Sequence, residues 1–243
     1  MRRFAKRAAI AVSLTPLIAA SAVLWYALSE PPAENLPLAP ELTSAVSAEG
    51  QELLSSATSK VDCAQLAQYV QAQARRAFCG PATVSAVLNA ALAPQPPATQ
   101  RSLFNASTAP IKGELALSLS GLTLPELAGF LLAHGMQVQL VHASQSDLAS
   151  FRHAARAALA EPRTFIIVNY DRRTLKQAGA GHISPLGAFD ASTDRVLVMD
   201  VAKQKYPYTW VPVSMLWDAM NTLDADSGRM RGYLLATAAD SKR

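Results

Sequence analysis

The hydrophobic and polar positions divide the chain into three stretches with different patterns. Residues 8–28 are 21 consecutive uncharged and mostly apolar positions, just enough for a helix to cross a hydrocarbon core of about 30 Å. Residues 29–50 contain four prolines and no periodicity, which is typical of a semi-rigid linker of polyproline character. From residue 51 to residue 243, apolar positions recur with helical or strand spacing, and we expect one globular domain there.

The first stretch has two interpretations, an uncleaved membrane anchor or a cleaved signal segment. Four cations at residues 2–7 precede it, and a cleaved segment would use the small residues 20–22 as its cleavage site. We favour an anchor over residues 1–28, because the apolar run continues to Trp25 and Tyr26, which suit the far membrane interface. The positive-inside rule then places the rest of the chain outside the cytoplasm, which in a bacterium means the periplasm.

Spacing within the domain predicts helices first and strands afterwards. Apolar residues recur at helical spacing in three segments, residues 81–92, 124–134 and 146–160. Three later segments are short and rich in apolar or β-branched residues, as strands are: residues 164–170, 182–189 and 195–202. The turn-rich segment 190–194 separates the last two and predicts an antiparallel hairpin. We therefore expect an α+β fold, with a helical half packed on an antiparallel sheet.

Charge narrows the choice of partner. The chain has 22 Lys and Arg against 18 Asp and Glu, and four of the basic residues precede residue 8. The remainder is balanced, so the isoelectric point of about 9.2 reflects the N-terminal segment. No later segment interleaves clustered cations with aromatic residues, and we expect no nucleic-acid partner. The sequence has no zinc-type spacing of Cys and His and no phosphate-binding motif, which predicts neither a bound metal nor a cofactor.

The chain contains two cysteines, Cys63 and Cys79, and their settings in the sequence differ. Cys79 directly precedes Gly80 and Pro81, which open the first predicted helix, so its sulfur would lie at the positive end of the helix dipole. That position lowers a thiol pKa and favours the reactive thiolate, and Gly80 would leave room for a substrate. Cys63 has no comparable setting in the sequence. Two other interpretations stay open: buried structural cysteines, or a disulfide between the two residues of an exported protein.

A catalytic thiolate needs a base, and His182 is the best candidate among four histidines. It follows Gly179 and Gly181, which would let a ligand come close, and it begins the second predicted strand. If the turn is centred on residue 191 or 192, residue 200 or 202 lies opposite His182. Asp200 is then a direct or diagonal cross-strand neighbour on the same face, as an orienting carboxylate must be. The other interpretation is that Asp200 only ends a strand.

Four segments resemble the catalytic domain of the phytochelatin synthase family, the glutathione γ-glutamylcysteinyltransferases. They are FCGPATVSAVLNA at 78–90, LKQAGAGHISPLGAFD at 175–190, VLVMDVAKQKYPYTWVPVSMLWDAM at 196–220 and RGYLL at 231–235. The resemblance implies a papain-like cysteine peptidase fold whose catalytic triad is Cys79, His182 and Asp200. It also implies that the Gln73 amide helps to form the oxyanion hole, and that the substrate contacts are Arg172, Asp224 and Arg231.

The resemblance implies a reaction as well as a site. The thiolate would cleave the Cys–Gly bond of glutathione, releasing glycine and leaving a γ-glutamylcysteinyl thioester. Water would convert this thioester to γ-glutamylcysteine, whereas a second glutathione would convert it to a phytochelatin, a heavy-metal chelator. We expect hydrolysis to exceed transfer, because residues 75–78 lack the proline often found before the family's cysteine and residues 91–160 match poorly.

The expected partners follow from the same resemblance. They are glutathione, its metal thiolate complexes and the membrane, and cadmium or zinc would act through the substrate thiolates. Formation of a homodimer stays open. Two other functions also stay open: a general papain-like peptidase that trims leader peptides, and a non-catalytic, membrane-tethered binding module.

Overall fold

The computed structural model describes residues 16–238. Its helices are α1 at 16–28, α2 at Ala48–Ser56, α3 at Cys63–Tyr69, α4 at Cys79–Leu92, α5 at Glu114–Ser120, α6 at Leu124–Ala133, α7 at Leu148–Ala160 and α8 at Val213–Met220, with a 3-10 turn at Ala143–Gln145. Its strands are β1 at Thr43–Ser44, β2 at Met136–His142, β3 at Thr164–Asp171, β4 at Gly181–Asp190, β5 at Arg195–Val198, β6 at Thr209–Pro212, β7 at Leu223–Asp224, β8 at Arg229–Met230 and β9 at Gly232–Ala238.

Seven of the described strands form one antiparallel sheet in the order β1-β6-β5-β4-β3-β9-β2. β4 is the central strand, and it pairs with β3 on one side and β5 on the other. The two short strands β7 and β8 form a separate ribbon. Helices packed on an antiparallel sheet are the α+β architecture that the sequence predicted, and the prediction is confirmed.

Side chains alternate between the two faces of the sheet, and each face has its own apolar core. In β3, Phe165 and Ile167 lie in the core that includes α4 and α6, whereas Ile166 and Val168 lie in the core that includes α7 and α8. α4 is the most completely surrounded of these helices, since every residue from Cys79 to Ala91 is buried. A helix that is buried on all sides is fixed by its neighbours, so its N-terminus has a defined place next to β4.

The predicted helices and strands are present, and the differences lie at their ends. α4 begins at Cys79, two residues before the predicted start. β5 ends at Val198, whereas the sequence predicted a strand that continues to residue 202. A register shift between Leu186 and Ala188 interrupts the pairing of β4 with β5, as a β-bulge does. Regular pairing therefore stops before it reaches the start of β4.

Residues 29–50 pack against the domain, which corrects the predicted linker. Thr43 and Ser44 form β1 at the edge of the sheet, and the Glu34 amide donates to the Gln204 carbonyl at 2.7 Å. α2 runs across the predicted domain boundary at residue 50. The sequence does not predict β1, because a strand of two residues is too short to show the alternation of apolar and polar positions.

Within residues 16–238, none of the helices combines the length and the apolar character that a membrane crossing requires. Part of the predicted anchor or signal segment, residues 1–15, lies outside the described residues. The described part, α1, exposes large apolar side chains that include Leu17, Ile18 and Trp25. The anchor therefore stays a prediction.

Candidate active site

Cys79 is the first residue of α4, so its thiol lies at the helix N-terminus as predicted. The side chain is 9% exposed. Pro81 falls in the first turn, where its missing N–H costs no intrahelical hydrogen bond. A Cβ at Gly80 would lie 2.7 Å from Leu122 Cδ1. This glycine therefore makes room for a neighbouring side chain, and not for the substrate that the sequence analysis expected there.

Cys63 is likewise the first residue of a helix, which corrects the prediction that it has no comparable setting. Its helix, α3, has seven residues. Burial raises the pKa of the Cys63 thiol, and the charge of nearby Lys60 offsets only part of this increase. Both cysteines are free thiols, so the alternative in which they are oxidised to a disulfide finds no support here.

His182 and Asp200 are in direct contact. His182 lies in β4 opposite Tyr170 of β3, and its Nε2 bonds to Asp200 Oδ1 at 2.9 Å. Asp200 follows the end of β5, in a segment tied to β4 by a hydrogen bond from the Met199 amide to the Pro185 carbonyl at 3.0 Å. The predicted contact is present, although a bulge and a loop, and not continuous strand pairing, bring Asp200 to this place.

Arg172 holds the other side of the Asp200 carboxylate. Its Nη2 donates to Oδ1 at 2.8 Å and to Oδ2 at 2.7 Å, while its Nη1 donates to Gln177 Oε1 at 2.8 Å. The Ala202 amide adds a further hydrogen bond to Oδ1 at 2.8 Å. Arg172 is 3% exposed, and most of its donors are already used. The substrate contact expected from the sequence stays a prediction, and the contact that the structure shows is with Asp200.

The charges around this cluster favour an ion pair between thiolate and imidazolium. Burial raises the pKa of Asp200, but the charges of His182 and Arg172 outweigh it and hold that pKa well below its ordinary range. Burial and Arg172 lower the pKa of His182, yet Asp200 and the hydrogen bond to Cys79 leave it raised. Burial raises the pKa of Cys79, and the hydrogen bond and charge of His182 then bring it below its ordinary value. These shifts favour the thiolate, which is the nucleophilic form of a cysteine.

Two hollows meet at His182. The wide hollow has a volume of about 600 Å³, and its walls include Cys79, Asn169, Asp224 and Arg231. The narrow hollow has a volume of about 190 Å³, and its walls include Gln73, Arg172, Gln204 and Lys205. Both hollows share part of their walls, namely Tyr26, Arg76, Ala180, Gly181 and His182. His182 therefore lies between the two hollows, and Cys79 faces the wide one.

Asp224 and Arg231 form a charged pair in the wide hollow. Arg231 Nη1 lies 3.4 Å from Asp224 Oδ1 and donates to Asn169 Oδ1 at 3.1 Å. Arg231 Nε is buried and has no hydrogen-bond partner within residues 16–238. A Cβ at Gly181 would lie 2.6 Å from Arg231 Nη1. The glycine before His182 thus makes room for the guanidinium, whereas the sequence analysis expected it to make room for a ligand.

Gln73 lies in the narrow hollow and is 6% exposed. Its amide nitrogen donates to the carbonyls of Arg75 and Arg76 at 2.9 and 2.7 Å. An amide nitrogen carries two hydrogens, so stabilising an oxyanion requires that one of these two bonds be shared or given up. The oxyanion role of Gln73 therefore stays a prediction that involves a local change of hydrogen bonding.

Several residues of the site were missed by the sequence analysis. Asn169 and Arg76 line the hollows, and Gln177 supports Arg172. Asn169 carried a usable signal, because it is a polar residue within the otherwise apolar strand TFIIVNY. Gln177 carried no signal in the sequence, because its contact with Arg172 depends on the loop that joins β3 to β4.

Comparisons with known proteins point to one family. A family model described as phytochelatin synthase matches residues 33–233. Glutathione gamma-glutamylcysteinyltransferase 1 of Triticum aestivum is 37% identical over 210 residues, which cover 83% of this chain and 42% of the relative. Glutathione gamma-glutamylcysteinyltransferase 3 of Lotus japonicus is 36% identical over 175 residues, which cover 70% of this chain and 36% of the relative. The chain thus spans about two-fifths of the length of these relatives.

Proposed function

The chain belongs to the phytochelatin synthase family, and we propose that it is a thiol acyltransferase that acts on glutathione. The catalytic domain of this family has a papain-like fold, in agreement with the helices and antiparallel sheet described above. The observation that carries the proposal is the cluster of Cys79, His182 and Asp200, in which Cys79 and His182 line the same hollow as Asp224 and Arg231.

The wide hollow suits the amino-acid end of glutathione. The γ-glutamyl group ends in an α-carboxylate and an α-ammonium on one carbon, so it presents a negative and a positive charge side by side. Arg231 would bind the carboxylate with its unpartnered Nε, and Asp224 would bind the ammonium. Asn169 keeps the guanidinium in place through its hydrogen bond to Nη1. This arrangement would place the Cys–Gly bond of glutathione beside Cys79.

The first step is acylation. The Cys79 thiolate attacks the carbonyl carbon of the cysteinyl residue, forming the S–C bond while the C–N bond to glycine breaks. His182 gives its proton to the departing glycine nitrogen, so glycine leaves as a neutral amine and a γ-glutamylcysteinyl thioester remains. Asp200 and Arg172 do not react: Asp200 orients the imidazole and stabilises its positive charge, and Arg172 keeps Asp200 ionised.

The second step resolves the thioester. His182, now neutral, takes a proton from the acceptor as the acceptor attacks the carbonyl carbon, and Cys79 leaves as the thiolate. Water as acceptor gives γ-glutamylcysteine, and the α-amine of a second glutathione gives a phytochelatin. We propose that hydrolysis outweighs transfer. The narrow hollow, at about 190 Å³, is below the 300–1,000 Å³ usual for ligands of this size, so it holds only the head of an acceptor glutathione, whereas water fits without restriction.

Metal ions enter this proposal as part of the substrate. Cadmium or zinc bound by glutathione thiolates would present an acceptor with its sulfur already blocked, which leaves its amine as the reactive nucleophile. No residue of the chain is proposed as a ligand. If this holds, added cadmium raises the transfer product relative to γ-glutamylcysteine without a change in acylation rate.

Product analysis of the full chain tests the proposal. The protein is incubated with glutathione, with and without cadmium, and the products are separated by mass. We expect glycine and γ-glutamylcysteine in excess over phytochelatin; a larger yield of phytochelatin would overturn the preference for hydrolysis. The isomer in which glutamate is linked through its α-carboxylate serves as the matched substrate, because a general peptidase would cleave both isomers. Equal turnover of the two, or cleavage of neither, would contradict the proposed function.

A further inference from the structure

Arg76 lies at the junction of the two hollows, and we propose that it binds the carboxylate next to the reacting nitrogen of the substrate. It lines both the wide and the narrow hollow, as His182 does. The inference rests on the proposed function, because this nitrogen belongs either to the glycine that leaves glutathione or to the amine that replaces it. Arg76 would then decide which amines can leave and enter.

Within residues 16–238, Arg76 takes part in none of the ion pairs. The other cations in the wall of the narrow hollow are already paired, Arg172 with Asp200 at 2.7 Å and Lys205 with Glu34 at 3.5 Å. Arg76 Nε is buried and has no hydrogen-bond acceptor among the described residues. A buried donor that lacks an acceptor costs free energy, and an anionic ligand would supply what is missing.

The neighbouring Arg75 shows the contrast with a structural arginine. Its guanidinium pairs with Glu114 at 2.9 Å and donates to Ser118 at 2.8 Å, so its polar groups bind within the protein. Both guanidiniums lie over an aromatic ring, Arg75 over Phe78 at 4.8 Å and Arg76 over Tyr26 at 4.0 Å from Cζ to the ring centroid, so the two residues differ in their polar partners. An aromatic ring on the face of a guanidinium leaves the N–H groups at its edge free for a planar, bidentate bond to a carboxylate.

The narrow hollow contains a second polar group without a hydrogen-bond partner in the described residues, the side-chain amide of Gln204. Both side-chain amide atoms of Gln204 are buried there and have no partner within the described part of the chain. An amide can donate to a carboxylate and accept from an ammonium. A volume of about 190 Å³ fits glycine or the head of an α-amino acid, and not a whole glutathione molecule.

The leaving group and the acceptor share a feature that water lacks. Glycine carries its carboxylate on the carbon attached to the reacting nitrogen, and the α-amine of a glutathione acceptor is placed in the same way. One guanidinium can therefore position both, the glycine while Cys79 attacks and the acceptor amine while the thioester is resolved. Attack by water gains nothing from Arg76, so this residue favours transfer over hydrolysis at the second step.

The inference is tested with the full chain by comparing two donor substrates that differ only at the carboxylate of the glycine residue. They are glutathione and γ-glutamylcysteinylglycinamide, and glycine or glycinamide release is measured. We expect the wild-type kcat/KM for the amide to be lower by about tenfold to a hundredfold, the range for loss of a charged hydrogen bond. Arg76→Met should turn over both donors with similar kcat/KM. Arg75→Met, the matched control, should keep the preference for the carboxylate even if its activity is lower.

The outcomes distinguish this inference from the proposed function. If the wild type releases no glycine from glutathione, both the proposed function and this inference are wrong. If the wild type cleaves glutathione but treats both donors alike, or if Arg76→Met keeps the full preference, the function stands and the inference is wrong. Should Arg76→Met not fold, as judged by circular dichroism, Arg76→Gln replaces it, and the wild-type comparison of donors still applies.

The acceptor step gives a second measurement. Isotopically labelled glycine and labelled glycinamide are offered as acceptors during turnover of unlabelled glutathione, and label in the tripeptide is measured. We expect the wild type to incorporate glycine in preference to glycinamide, with the preference lost in Arg76→Met and reduced in Tyr26→Leu. Equal incorporation by the wild type would overturn a role for Arg76 at this step.

Discussion

Cys63 and Cys79 occupy equivalent places in two helices but differ in chemistry. Each is the first residue of its helix, so each thiol lies at the positive end of a helix dipole. Burial nevertheless raises the pKa of Cys63, whereas at Cys79 the effect of burial is outweighed by His182. A helix N-terminus is therefore not sufficient in this protein. In the proposed mechanism the thiolate depends on the imidazole of His182, and the imidazole depends on the carboxylate of Asp200.

Replacing Cys79 with alanine should have the largest effect on activity, and replacing Cys63 gives the direct comparison. Cys79→Ala should lose essentially all release of glycine from glutathione, because the covalent step has no substitute nucleophile. Cys63→Ala is the matched control and should keep activity within about a factor of two to three of the wild type. The measurement is the steady-state rate of glycine release. Loss of activity in Cys63→Ala alone would reverse the assignment of the nucleophile.

Neutralising Asp200 tests whether the imidazole depends on its carboxylate. Asp200→Asn should lower kcat about 10²- to 10⁴-fold with little change in KM, because the amide cannot stabilise the imidazolium or hold its tautomer. The control is Asp194→Asn, which removes a carboxylate that pairs at the surface with Arg152. If Asp200→Asn raised KM and spared kcat, Asp200 would be a substrate contact and the triad assignment would be wrong.

The contrast between the two cysteines also shows what the sequence could and could not predict. α4 was predictable because Gly80 and Pro81 mark its start and apolar residues recur over 14 positions. α3 was not, since seven residues hold about two turns and bury only Leu66. A short helix of this kind is stabilised by the core on which it packs, which no local pattern reports.

The contacts of Asp200 also divide into one that the sequence could predict and one that it could not. The hairpin predicted the meeting of His182 and Asp200, because the turn at 190–194 limits the register to a few choices. The bond from Arg172 to Asp200 joins residues 28 apart through the folded loops, and only the structure reveals it. The packing of residues 29–50 was likewise hidden, because a two-residue strand and a few backbone hydrogen bonds leave no sequence signature.

Removing Arg172 should have a smaller effect than neutralising Asp200. We expect Arg172→Met to lower kcat about 10- to 100-fold, because the carboxylate keeps its contact with His182 but loses its cation. Arg172 also lowers the pKa of Cys79, so its loss should move the acid limb of kcat/KM to higher pH. Arg172→Lys should restore part of the charge effect. A variant with raised KM, normal kcat and an unchanged acid limb would make Arg172 the substrate contact that the sequence resemblance implies.

Alkylation rates give the smallest expected effect and compare the two thiols directly. Cys79, whose pKa is lowered, should react with iodoacetamide at lower pH than Cys63, whose pKa is raised. The sign follows because only the thiolate reacts, so a lower pKa keeps the reactive form present as pH falls. Peptide mapping after alkylation across pH 5 to 9 gives both curves. In His182→Ala the curve of Cys79 should move to higher pH; an unchanged curve would contradict the dependence on the imidazole.

We propose that Cys79 carries the γ-glutamylcysteinyl group as a thioester during turnover. Intact-mass analysis of the full chain, quenched in acid during turnover of glutathione, tests it most directly. We expect an added mass of one γ-glutamylcysteinyl group without glycine, resistant to mild reduction, located on Cys79 and absent from Cys79→Ala. Turnover with no adduct on Cys79, an adduct on Cys63, or an adduct that still contains glycine and is removed by reduction would contradict the account.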